Sequence, residues 1–80
     1  MPLEYPNIAP CLVFPFERNC PHESGQYRAL VFARRGSYVL YADESRREFG
    51  VAKLEGESHL GGPRQFRTLD RAAREFLACA

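Results

Sequence analysis

Cys11, Cys20 and His22 are the first residues in this sequence whose chemistry could exceed packing, and that chemistry would be zinc binding, with His59 or Cys79 as a fourth ligand. Zinc sites pair their ligands about two to four residues apart, and only Cys20 and His22 approach that spacing. There is no CxxC. The pattern therefore predicts ordinary thiols and no metal site. Three cysteines also leave a disulfide framework incomplete, and Cys11–Cys20 is a pair that only an oxidising compartment would join.

Nucleophile and base arrangements are missing as well. His22-Glu23-Ser24 lacks the second histidine of HExxH, no GxSxG occurs, and no GK[ST] follows Gly61-Gly62-Pro63. Asp43-Glu44 and Glu55/Glu57 are acidic pairs on turn-like segments, where solvated surface explains them. The reading assigns no catalytic residue, no cofactor and no enzymatic activity, since 80 residues leave little for a second layer around a pocket.

The arginines form the third chemical group. There are ten against a single lysine, Lys53. Arg34-Arg35 and Arg46-Arg47 fall at turns, while Arg64, Arg67, Arg71 and Arg74 lie before and on a C-terminal helix. A three-stranded sheet presenting arginines and aromatics can read a DNA groove, with Arg34, Arg35, Arg46, Arg47, Arg64 and Arg67 as the contacts. Net charge is only +1 and the pI about 7.8, so no overall basic field exists. Asp43, Glu44 and Glu48 dilute the Arg46-Arg47 pair. Nucleic-acid binding is the alternative reading and not the first.

The elements that position these groups follow from composition and pattern. Hydrophobic residues make up 45% and charged residues 26%, which predicts one globular domain over residues 1–80. Residues 1–22 hold five of the six prolines, which opposes a long helix or a central strand. Leu3, Tyr5, Ile8, Leu12, Val13, Phe14 and Phe16 are too apolar for a free linker, so this segment reads as an extended arm lying against something. Antiparallel strands are expected within 26–54, at 26–34, 37–43 and 48–54, with a tight turn at Arg35-Gly36. Residues 55–63 read as a loop, and 64–67 could add a short strand. A helix is predicted over 68–79, with Thr68 as N-cap, Asp70 in the first turn and Asp70–Arg74 as an i,i+4 pair. The fold class is α+β: a three- to four-stranded antiparallel sheet, one C-terminal helix and an extended Pro-rich N-terminal arm. With neither a secretory signal nor a membrane-length apolar run, the expected localisation is cytoplasmic, with no membrane partner.

A two-residue turn at Arg35-Gly36 sorts the hairpin into two faces. One carries Tyr27, Ala29, Val31, Ala33, Tyr38, Leu40 and Ala42, and its alanines admit the helix. The other carries Arg28, Leu30, Phe32, Arg34, Val39, Tyr41 and Asp43. Its apolar centre and charged rim are the composition of an interface. Either the arm folds over this face, or the face meets another protein or a second copy of the chain.

At FRTLDRAAREFL, following antiparallel strands, the pattern resembles two families. One comprises small sheet-plus-helix proteins of phages and plasmids, including anti-CRISPR inhibitors, in which a late Phe-x-Thr-Leu-x-x-Ala segment opens the helix. The other is the arm-type DNA-binding domain of tyrosine integrases, three strands against one helix. The resemblance spans residues 26–80, the Pro-rich arm fits neither family, and no binding residue is carried across.

The expected function is a non-enzymatic protein-binding module, in the manner of a mobile-element inhibitor that blocks a larger protein or nucleoprotein complex. Its contacts would be Leu30, Phe32, Val39 and Tyr41, with Arg28, Arg34 and Arg35 at the rim. The alternative is a nucleic-acid-binding module or regulator.

Overall fold

The structure, a computed structural model, describes residues 8–22, 25–56 and 59–79, with side chains described outside 21–26. A 3-10 turn at Ala9–Cys11 leads into β1 (Leu12–His22), β2 (Gly25–Arg35), β3 (Tyr38–Asp43), β4 (Glu48–Glu55) and β5 (His59–Phe66), followed by α1 (Leu69–Ala78). Each strand pairs antiparallel with the next. β1 and β5 run parallel and meet at Asn19 opposite His59, which closes the sheet into a barrel. The α+β class with one C-terminal helix stands, but among the described residues the strands number five and not three or four.

Two segments account for the difference. Residues 12–22 of the expected arm are β1, whereas residues 1–7 lie outside the described residues. β1 tolerates Pro15 and Pro21 because β5 meets it only at Asn19, leaving most of one edge without a ladder to break. The second is residues 59–63 of the expected loop, which join the short strand expected at 64–67 to make β5. Gly62 takes a positive φ of 58° where the β4–β5 register slips, so Gly-Gly-Pro bends a strand without ending it.

The hairpin turn is also displaced by one residue. Arg35 pairs with Tyr38, so Gly36 and Ser37 form the turn, with Gly36 at φ 63°. The register slips again between Val31 and Ala33, leaving Phe32 in a bulge. Val31 therefore shares a face with Tyr41, and Ala33 with Leu40. This corrects the two-face assignment above.

Both faces of β3 are buried, each by a different device. Val39 and Tyr41 point into the barrel with Cys20, Ala29, Val31, Ala52 and Leu60. Leu40 points outward and meets α1, where Ala72, Ala73 and Phe76 pack on Ala33, Leu40 and Val51. The helix starts as expected: Thr68 Oγ1 accepts from the Arg71 backbone N–H, and Arg74 Nε donates to Asp70 Oδ1 at 3.2 Å. Packing, not charge, holds it. Arg64 and Glu75 bridge β5 to α1 at 3.0 Å with side chains 61% and 32% exposed. A pair so solvated contributes at most about 1 kcal/mol, whereas burying one side chain the size of Phe76 contributes roughly 1.5–3 kcal/mol.

Candidate functional site

The described surface has one apolar protrusion. β1 pairs at Leu12 with Ala33 and next at Phe16 with Val31, so Val13, Phe14 and Pro15 bow out opposite a single residue of β2. The bow leaves Phe14 94% exposed and Leu12 55% exposed, with Pro10 and Pro15 exposed beside them. Single exposed apolar residues are ordinary, but four so close together, three of them on β1 and Pro10 in the turn before it, are not. Among the described residues, the edge of β1 from Leu12 to Arg18 has no strand beside it apart from β2. Its unpaired backbone groups are a template for another strand. Pro15 removes one donor from that edge, and Glu17 and Arg18 place charge beyond it, so pairing is confined to the stretch around Leu12–Phe14.

The residues expected to form a contact face are dispersed. Val39 and Tyr41 are fully buried inside the barrel and offer no surface, because barrel closure buries the face that an open sheet would have exposed. Leu30 and Phe32 are half-buried, and the Phe32 ring meets Phe49 edge-on with centroids 6.4 Å apart. Arg28 is exposed and paired with Glu17. Arg34 Nε donates to the Gly36 carbonyl at 2.9 Å, and Arg35 donates to the Leu77 carbonyl at 2.8 Å, tying the β2–β3 turn to the end of α1.

The arginines of the alternative reading also separate. Arg46 binds Asp43 at 2.9 Å and lies 4.9 Å over the Tyr27 ring, so it is spent within the fold. Arg47 is exposed in the β3–β4 turn at φ 54°. Arg64 and Arg71 both lie over the Phe66 ring, at 5.9 and 6.0 Å, and Arg67 is exposed next to it.

A partly buried polar network that sequence reading missed closes one end of the barrel. The hydroxyls of Tyr27 and Tyr41, 3.0 Å apart, both donate to Gln65 Oε1, from Tyr41 at 2.6 Å. Gln65 Nε2 in turn donates to Glu48 at 2.8 Å and to Asp43 at 3.3 Å. The amide orientation is dictated by chemistry, since the reverse would set its oxygen against two carboxylates. Burial pushes both phenols well above their ordinary 10.0, with Cys20 and the neighbouring tyrosine hydroxyl close by. Burial also pushes the Asp43 carboxyl up, but hydrogen bonds from Arg46, Ser45 and Gln65 outweigh it and hold that group below its ordinary range. Every described member of the network is accounted for within the fold, so it reads as a structural plug. Gln65 could have been suspected only from its place one strand-step from Phe66.

All three cysteines are free thiols; Cys20 sits in the barrel interior and Cys11 packs against the helix-side cluster. The side chain of His22 lies outside the described residues. Among the described residues, no helix is long and apolar enough to cross a membrane. No family model, no curated protein and no solved structure matches the chain, and neither resemblance drawn from FRTLDRAAREFL gains a relative from them.

Proposed function

We propose that the chain is a small non-enzymatic protein-binding module that engages an extended segment of a larger protein along the free edge of β1. Phe14 is the anchor, Leu12 lies beside it, and the barrel with its helix is the rigid support. The observation that carries this reading is the 94% exposure of Phe14 at a bulge in the part of β1 that β5 does not pair with. Aromatic side chains at interface centres supply much of the binding energy, and a strand edge adds main-chain hydrogen bonds. The surface differs from the one expected from the sequence, which drew on Val39 and Tyr41; the class of function is the same. A mobile-element inhibitor is one protein of this kind.

Photo-crosslinking tests it. A benzophenone amino acid replacing Phe14 is expected to trap one discrete heteromeric adduct in cells producing the chain, and the same group at exposed Glu55 is not. Adducts of twice the chain mass would assign the edge to a second copy. Equal patterns at both positions, or none at residue 14, would overturn the reading.

A further inference from the structure

The outer surface where β5 meets α1 carries a second, independent patch at the other end of the barrel from Phe14. Leu12 pairs beside the β2–β3 turn, whereas Phe66 pairs with Phe49 beside the β3–β4 turn, and these turns lie at opposite ends of β3. The patch is a cleft of about 480 Å³ lined by Gln65, Phe66, Arg67, Thr68, Asp70 and Arg71. The acids near it are already engaged: Asp70 by Arg74, Glu75 by Arg64 and Glu48 by the Gln65 amide. Arg67 and Arg71 have no carboxylate partner among the described residues, so the cleft is locally cationic although the chain is nearly neutral.

We propose that this cleft takes a single strand of nucleic acid. Arg67 and Arg71 contact phosphates, and a base stacks on the guanidinium of Arg64 or Arg71 where it lies over Phe66. Three features select this class. Unpaired guanidiniums complement phosphate, and arginine binds it bidentately. A guanidinium backed by an aromatic ring is a flat platform that any base can share, whereas an acidic peptide gains nothing from it. The cleft is also small, about 480 Å³, with room for part of one strand and not for the body of a duplex. Arg34, Arg35, Arg46 and Arg47 of the alternative reading are not required.

Fluorescence polarisation with labelled single-stranded DNA and RNA oligonucleotides at about 50 mM salt tests the proposal on the full chain. Binding is expected to fall with salt at a log–log slope of about −1.4, or about 0.7 for each of Arg67 and Arg71. Arg67→Ala and Arg71→Ala should each reduce that slope by about 0.7 with circular dichroism unchanged, while Arg34→Ala on the opposite turn leaves it alone. Absence of binding at tens of micromolar chain would overturn the proposal. So would polyglutamate or duplex DNA competing as well as the single strand at equal charge, since the cleft would then select charge or a different partner. The readout uses neither Leu12 nor Phe14, so it fails or succeeds independently of the β1-edge reading.

Discussion

Tyr41 stands directly across the β3–β4 ladder from Gly50, and its ring fills the space in which a side chain at position 50 would lie. The pair makes the barrel interior close-packed: a tyrosine reaches across because a glycine faces it. Gly50→Ala should therefore destabilise the fold by about 1–3 kcal/mol through overpacking. Combining it with Tyr41→Val should cost less than the sum of the two single changes, because both act on one space. Urea denaturation of the four proteins measures this, and strict additivity would show that the ring is not held there.

Gln65 should matter more than the hydroxyl of either tyrosine. Tyr41→Phe leaves Gln65 Oε1 with Tyr27 as donor, whereas Gln65→Leu leaves two phenols and two carboxylates without their shared partner. Each hydrogen bond lost costs about 0.5–1.5 kcal/mol, since the phenols keep each other and Asp43 keeps Arg46 and Ser45. Chemical denaturation should therefore rank Gln65→Leu as the more damaging change, and the reverse order would remove the amide from the centre of the network.

The same network sets the acid limit of stability. Asp43 is 1% exposed, and its carboxyl is held below its ordinary 3.8. A group lowered on folding contributes its stabilisation above the unfolded value and loses it as pH falls through the folded one. Stability should thus decline below about pH 4 in the parent and decline less over that window in Asp43→Asn, which starts from a lower value. A parallel pH dependence in the two proteins would contradict the assignment.

The alkaline limit follows from the phenols. Both are raised on folding, so their contribution is complete below 10.0 and is lost as pH rises beyond it. Tyrosinate absorbance from Tyr27 and Tyr41 should appear together with loss of the far-ultraviolet dichroism; its appearance in the intact fold would place the hydroxyls in contact with water.

Much of this architecture was legible. Thr68, Asp70, Arg74 and the apolar stripe through Phe76 announced the helix, because capping and 3.6-residue periodicity are local. The hairpin, too, was readable from its β-branched and aromatic run. Barrel closure was not, since it depends on a single parallel meeting of Asn19 and His59, forty residues apart in the chain. The bulge at Phe32 adds one step to a two-residue period and the one at Val13–Pro15 adds two, and no composition signal marks either. That is why Tyr41 and Val39 looked like surface and Phe14 like cover. The exposed aromatic lay in the segment whose prolines argued against a long helix or a central strand.

The central claim rests on Phe14, and a binding isotherm tests it most directly. With the partner trapped at residue 14 purified, wild-type chain and Phe14→Asp are titrated by calorimetry, and their thermal unfolding is recorded alongside. The account predicts a loss of at least about 2 kcal/mol of binding, roughly thirtyfold, with stability unchanged within about 0.5 kcal/mol, since the ring packs on little in the free chain. Undiminished affinity, or a variant that unfolds, would contradict it.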